Sequence, residues 1–498
     1  MIKLLTSESA RLCDRRQIEK GTSSLLLMQR AAEGLFDFIS GKNFKKAAII
    51  CGKGNNGGDG YALAAIMQEK GLDPTLFCTE GELTGDAEYY SRKYTGRRMP
   101  LSGNENFGGF DVIVDALLGT GVNKPVTGLY KAVIESINAS GIFVLACDLP
   151  SGLNATNGRI QGLAVKADAT VTFAAMKTGL VLADGPDCCG KTIVWDIGVE
   201  TESCDAYLAE EKDVASCFRP LKSNTHKGTN KRTGIIGGSK NFAGAPLLSL
   251  MGESALRTGA GLAGIGFPDF LYDAFAVRAL HTMLYPQKSD NGVIAFDEKQ
   301  LDYFTSCDAV ALGMGMGKCA DIDKILRFIC RKENVKVVLD ADGLNNVSGG
   351  AIKELGARLV LTPHVKEFAR LAGKEVETVL NNPVEEAKNF AAESGAVVML
   401  KSNTTVVTDG DKVILCNFGT PAMATGGSGD LLSGVTAGLL ARTGDRLNSA
   451  VAACAVTGTA AKIALKEFSE FSLLPADTSL YIAKAVKLLL RAEKAQRY

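Results

Sequence analysis

Residues 419–440 read GTPAMATGGSGDLLSGVTAGLL. Gly426, Gly427 and Gly429 surround Ser428 and run into Asp430, after which small and apolar residues recur at helical spacing from Leu431 onward. The pattern predicts a glycine loop that opens a helix. Glycines let the backbone turn its N–H groups inward, and the first helical turn adds unpaired donors and a positive dipole end, so an anion is suited to this turn. Asp430 stands where a carboxylate is awkward for binding phosphate but well placed to take a proton from a hydroxyl about to attack one. An acidic first-turn cap behind an ordinary glycine turn would look the same, so the surrounding pattern has to decide.

Working outward, the second half of the chain repeats one device: an apolar run that ends in a polar or glycine-rich loop. The first such run, RTGIIGG (232–238), ends in Gly237 and Gly238, and Gly244, Ala245 and Pro246 open a helix that stops at Gly259. DAVALGMGMG (308–317) delivers a glycine loop, with Met314 and Met316 read as wall residues. VKVVLDADGLN (335–345) ends in Asp340 and Asp342, ARLVLTPHVKEF (357–368) in His364, and AVVMLKSNTTVVTDG (396–410) is two strands around a loop holding Lys401. Singly, His364 after Pro363 fits a helix cap and Lys401 a solvated turn. Together they bring a cation, a histidine, a carboxylate and an anion-binding turn to one sheet edge, the parts that phosphoryl transfer requires.

The first half has its own α/β pattern. KAAIIC (46–51) reads as a buried strand, GKGNNGGDG (52–60) as a turn, and YALAAIMQEKG (61–71) as a helix stopped by Gly71. Gly52, Gly54 and Gly57 satisfy the dinucleotide fingerprint, and Glu80 lies about where its ribose-binding acid would be, so an ordinary Rossmann dehydrogenase domain is a competitor. Against it, Asn55, Asn56 and Asp59 crowd the turn with oxygens better suited to a hard cation or a sugar hydroxyl. DVIVDALLGTGVNKP (111–125) ends its strand in Asp115 and IFVLACDLPSG (142–152) in Asp148 and Ser151. In an open parallel sheet these strand ends converge on one crevice. GPDCCGKT (185–192) matches a phosphate-loop expression, but it leads into strand-like IVWDIG, and Pro186 with Cys188 and Cys189 suits a hairpin turn instead.

The totals bound the rest. A chain of 498 residues exceeds one core, and a polar stretch at 199–226 marks the join; the acidic patch Glu210, Glu211 and Asp213 within it reads as a solvated face. Lys plus Arg and Asp plus Glu are both 55, so neither nucleic acid nor a membrane surface is expected as partner. The 13 cysteines show no C-x-x-C spacing and suit a reducing compartment. The N-terminal apolar run is broken early, and Ala450–Ala461 is too short to span a bilayer, so a cytoplasmic protein is expected. The tail from Asp477 carries an apolar stripe through Leu480, Ala483, Val486 and Leu490, expected to pack at home.

Two resemblances sharpen these readings. GKGNNGGDG, DALLGTG and DLPSG, in this order, resemble the YjeF N-terminal NAD(P)H-hydrate epimerase domain. The resemblance implies that Asn55, Asn56, Gly57, Gly58 and Asp59, with Gly119, Thr120, Gly121, Val122, Asn123, Lys124 and Pro125, hold a hydrated dinucleotide. It also implies that Asn56, Asp115 and Ser151 bind potassium and that Asp148 is the acid/base group. GMGMG, LDADGLN, LTPH, MLKSNTT and TGGSGDLLSG resemble the ribokinase-like NAD(P)H-hydrate dehydratases. This implies Ala245, Gly315, Gly317, His364 and Asp430 on the hydrated nicotinamide nucleotide. Lys401, Ser402, Asn403, Thr404 and Thr405, with Gly429, would lie on the adenine nucleotide. GMGMG departs from the family's usual G-P-G, and Gly343 from its usual Ala. Jointly the halves are similar to bifunctional NAD(P)H-hydrate repair enzymes, implying two three-layer αβα domains, a Rossmann-like one over 1–212 and a ribokinase-like one over 213–498. Mg²⁺ with ADP, favoured by the resemblance over ATP, and a homo-oligomer are expected. A ribokinase-type small-molecule kinase and a non-catalytic dinucleotide-binding protein are the alternatives.

Overall fold

The structure, a computed structural model, describes residues 1–218, 220–244, 247 and 253–494, the last three of these without their side chains. It divides into two units, Ile2–Tyr207 and Leu208–Tyr498, with Met1 grouped in the second.

The first unit is built on strands β1 (Ile2–Leu5), β2 (Ala47–Cys51), β3 (Thr75–Cys78), β4 (Arg98–Pro100), β5 (Val112–Ala116), β6 (Phe143–Cys147), β7 (Ala169–Phe173), β8 (Met176–Lys177) and β9 (Lys191–Trp195). Seven of them form a sheet in the order β4-β3-β2-β5-β6-β7-β9, every pair parallel. Strands buried on both faces call for near-continuous apolar residues, which AAIIC supplies throughout and VIVDA at every position but Asp115. Alternate residues show the two faces. Ala47, Ile49, Cys51, Val112 and Val114 pack with helices α2 (Ser24–Gly41), α3 (Asn55–Glu69) and α4 (Gly85–Lys93), which follow α1 (Ser7–Glu19) in the chain. Ala48, Ile50 and Ile113 pack on the other side with Val133, Ile134 and Ile137 of α5 (Gly128–Ala139). Strand order reverses between β2 and β5, so a crevice opens at their carboxyl ends.

GPDCCGKT is neither a phosphate loop nor the expected hairpin turn. Gly185–Cys189 is a short helix, α6, with Cys188 and Cys189 buried, and Lys191 enters β9 parallel to β7. A side chain at Gly190 would meet the Asp168 carbonyl at 2.2 Å, so this glycine serves a close backbone approach.

The second unit orders its strands β12-β11-β10-β13-β14-β15-β16-β17-β18. In sequence these are β10 (Arg232–Ile236), β11 (Leu262–Pro268), β12 (Met283–Gln287), β13 (Ala309–Leu312), β14 (Lys336–Leu339), β15 (Leu359–Leu361), β16 (Val397–Leu400), β17 (Thr405–Thr408) and β18 (Val413–Cys416). The pairs up to β16 are parallel, and β16-β17-β18 is an antiparallel meander. One face packs on α10 (Ser428–Thr443) and α11 (Arg446–Ala464), the other on α7 (Ile322–Ile329); α8 (Val365–Ala372) and α9 (Pro383–Ser394) lie between them in sequence. Both units are therefore α/β with helices on both sheet faces.

Two sequence expectations change here. The run Ala450–Ala461 belongs to a helix of 19 residues, long and apolar enough to cross a bilayer by length and composition. Its most apolar window is 78% buried, with Ala450, Val451 and Val456 among the side chains it contributes to the core. The C-terminal stripe packs at home through Val486 and Leu490 as expected, but not through Leu480 and Ala483. The helix breaks at Tyr481, and α12 (Ile482–Lys494) buries Ile482, Ala485 and Leu489 while Leu480 is exposed.

Candidate active sites

At the carboxyl ends of β2, β5 and β6 the first unit carries a cleft of about 520 Å³. Asn55, Asn56 and Asp59 from the start of α3, and Gly119, Thr120 and Gly121 after β5, line it with Asp148. Val122, Asn123, Lys124, Pro125 and Glu80 lie outside that lining. Gly57 and Gly58 sit behind the wall, and a side chain at Gly57 would meet the Gly52 carbonyl at 2.0 Å.

Asp115 is fully buried and receives hydrogen bonds from the Ser151 N–H (2.7 Å), the Ser151 hydroxyl (2.6 Å) and the Leu117 N–H (3.3 Å). The Asn56 amide donates to the Leu118 carbonyl at 2.9 Å, so Asn56, Asp115 and Ser151 share one oxygen-rich knot. Burial pushes the Asp115 carboxyl up to about 6, against the lowering effect of those hydrogen bonds.

Asp148 has a left-handed backbone, φ 64°, which turns its carboxylate back toward β7. There it accepts from Thr172 Oγ1 (2.9 Å) and the Phe173 N–H (3.2 Å) and pairs with the Lys177 ammonium. Lys177 also donates to Thr172 Oγ1 (3.1 Å) and the Phe173 carbonyl (3.0 Å), and its side chain is only 5% exposed. Asp14 of α1 lines the same cleft. Neither Lys177 nor Asp14 was picked out in the sequence. Lys177 sits in a two-residue strand with no glycine signature, and Asp14 looks like any charged residue on an exposed helix face.

In the second unit Gly427 takes φ 95° and caps α10. Among the described residues, the N–H groups of Gly427, Gly429 and Asp430 have no backbone partner. Beneath this turn lies a buried ion pair: Lys401 Nζ is 2.7 Å from Asp340 Oδ1, and the Ser433 hydroxyl donates to Asp340 Oδ2 at 2.7 Å. Burial works against charge on Asp340, but the Lys401 ammonium, with the Ser433 and Thr362 hydroxyls, outweighs it and holds the carboxyl below its usual range. A side chain at Gly429 would come within 3.3 Å of Lys401 Nζ and 3.4 Å of Asp340 Oδ2. Gly429 is thus the residue that lets the turn rest on the pair.

Asp430 is half-buried, and no side-chain hydrogen bond holds it among the described residues. Burial, then the Asp340 and Asp342 carboxylates, push it up to about 7 against the pull of Lys401. His364 caps α8, its Nδ1 accepting from the Lys366 and Glu367 N–H groups, and bridges to Lys401 through the backbone. Gly315 and Gly317 both have positive φ, and Asp342 accepts from the Gly317 N–H at 2.8 Å. Met314 and Met316 are fully buried. In the β16-β17 loop Ser402 and Asn403 are exposed, Thr404 is buried and Thr405 opens β17. Lys401 is thus bound to Asp340 rather than free in that loop. Ala245 lies outside the described residues.

The family described as NAD(P)H-hydrate dehydratase matches residues 233–484, and that described as YjeF-related protein N-terminus matches residues 24–179. The bifunctional NAD(P)H-hydrate repair enzyme of Thermofilum pendens is 33% identical, over 98% of this chain and 97% of its own. That of Coxiella burnetii is 33% identical over 96% and 98%. A ribokinase-like superfamily protein from Enterococcus faecalis superposes with a TM-score of 0.50 at 20% identity, covering 58% of this chain and 98% of its own, which speaks to the fold of the second unit. Two sites on two α/β units, each matched by its own family and both matched end to end by the same relatives, place this chain in the family of bifunctional NAD(P)H-hydrate repair enzymes.

Proposed function

We propose that the chain repairs hydrated NADH and NADPH, the first unit interconverting the R and S hydrates and the second returning the S form to the reduced cofactor at the expense of ADP or ATP. The observation that carries this is the half-buried, unbonded Asp430 at the N-terminus of α10, above the Asp340–Lys401 pair. The hydroxyl of a hydrated nicotinamide is a poor leaving group. Asp430 takes its proton as the oxygen attacks the terminal phosphoryl of the nucleotide, and the free N–H groups of Gly427, Gly429 and Asp430 receive the transferring oxygens. The phosphorylated oxygen then leaves as phosphate, driven by the ring nitrogen, and the double bond is restored by loss of a ring proton.

No group of three or more His, Cys, Asp or Glu able to hold a metal occurs among the described residues. Mg²⁺ suits this site as a companion of the nucleotide phosphates, whose charge it neutralises. Lys401, Ser402, Asn403, Thr404 and Thr405, with Gly429, border the nucleotide; Gly315, Gly317, His364 and Asp430 border the hydrate.

In the first unit the knot of Asn56, Asp115 and Ser151 fits potassium. Its donors are all oxygens, and a carboxyl pushed up by burial gains from a cation beside it. Replacing K⁺ by a large organic cation should slow epimerisation several-fold without altering dehydration of the S form; equal epimerisation rates in both salts would remove potassium from the site.

The decisive test incubates mixed NADH hydrate epimers with the chain, ADP and Mg²⁺ and follows dihydronicotinamide absorbance. Full recovery is expected. Recovery of only the S fraction would remove the epimerase function, and accumulation of a stable phosphorylated product would indicate a plain kinase.

A further inference from the structure

Asp59 and Asp148 line the same cleft, yet the protein treats the two carboxyl groups in opposite ways. Asp148 is paired with the Lys177 ammonium and accepts hydrogen bonds from the Thr172 hydroxyl and the Phe173 N–H. Asp59, at the end of the first turn of α3 in the cleft wall, has one hydrogen-bond contact among the described residues, the Cys147 thiol at 4.0 Å. A carboxyl that ties nothing together contributes little to the fold, and one left without strong donors is suited to carrying a proton.

We propose that Asp59 is the proton donor of the epimerase site and Asp148 its carboxylate base, an inference that rests on the epimerase reading above. Asp59 passes its proton to the hydroxyl oxygen on the hydrated ring carbon. The C–O bond breaks with its electrons on oxygen, water departs, and the ring nitrogen lone pair forms a C=N⁺ bond. Water then adds to that carbon from the other face and gives its proton to Asp148, while the C=N electrons return to nitrogen. Proton return from Asp148 to Asp59 through water closes the cycle, with one water lost, one gained and no redox change.

The charged and titratable neighbours agree with this division. Enclosure in the cleft pushes the Asp59 carboxyl well above its ordinary range, the Asp148 and Asp14 carboxylates add to that, and the Lys177 ammonium opposes it. Cys51 and Cys147, at the ends of β2 and β6, are themselves pushed up by burial and stay neutral thiols. Lys53, on the loop before α3, also lines the cleft.

The test uses the full chain with one purified epimer and no nucleotide, so that dehydration is silent, and resolves the epimers by chromatography after subtraction of the uncatalysed rate. Asp59→Asn should lower kcat by about 10²- to 10⁴-fold with KM changed only a few-fold. Asp59→Glu, which keeps the acid, should recover part of the rate. Wild-type kcat should fall as rising pH ionises Asp59, and this limb should be missing in Asp59→Asn. A wild-type kcat in Asp59→Asn, or a loss confined to KM, would overturn the donor role while leaving the epimerase reading intact. Absence of epimerisation by the wild-type chain would overturn the epimerase reading itself and the donor role with it.

Discussion

Asp430→Asn is expected to lower dehydration of the S hydrate by on the order of 10² to 10⁴ in kcat, with KM nearly unchanged. The substitution keeps the side-chain volume and breaks no hydrogen bond among the described residues, so what disappears is the ability to take a proton. The pH dependence is specific. A base must be ionised, and Asp430 is pushed up to about 7, so kcat/KM of the wild-type chain should rise about tenfold per pH unit below that value and level off above it. Stability should move the other way. An acid whose folded pKa is raised favours the fold only while protonated, so its ionisation between the unfolded value of about 4 and the folded value of about 7 works against the native state. Asp430→Asn should therefore melt above the wild-type chain at pH 8 and match it near pH 4. Full turnover in the variant, or a flat profile from pH 6 to 8, would place the base elsewhere.

Asp148→Asn is expected to remove epimerisation by a similar factor, about 10² to 10⁴, while dehydration of the S form continues. Asn accepts the left-handed backbone at φ 64° and can still receive the Thr172 and Phe173 hydrogen bonds. It leaves the Lys177 ammonium, 5% exposed, without its counter-charge. Breaking a buried pair in this way costs about 3 to 5 kcal/mol, so the melt of the first unit should fall. Adding Lys177→Met to Asp148→Asn should restore the melt but not the activity. A double variant that also regains epimerisation would show that Asp148 serves stability rather than chemistry.

The parts of both sites carried by glycine loops were legible because they are local. A run of apolar residues buried on both faces, such as AAIIC before GKGNNGGDG, or LLSGVTAGLL after TGGSG, states strand, turn and helix within a dozen residues. What escaped was of longer range. Lys177 finds Asp148 29 residues away, Asp340 finds Ser433 93 residues away, and nothing in the neighbourhood of any of them announces a partner. The tail differs in part for another reason: the helix breaks at Tyr481, so Leu480 and Ala483 face outward while Val486 and Leu490 still pack on the core beside Ile482, Ala485 and Leu489.

The sequence by itself determined two α/β units and put an Asp at the opening of a glycine-capped helix, because strand burial and helix initiation depend on neighbours a few residues apart. Only the tertiary structure decided the surroundings of its carboxylates. Asp59, Asp148, Asp340 and Asp430 are one residue type, and which of them is paired, bonded or left alone depends on charges and donors brought from distant strands into a space with little water to screen them.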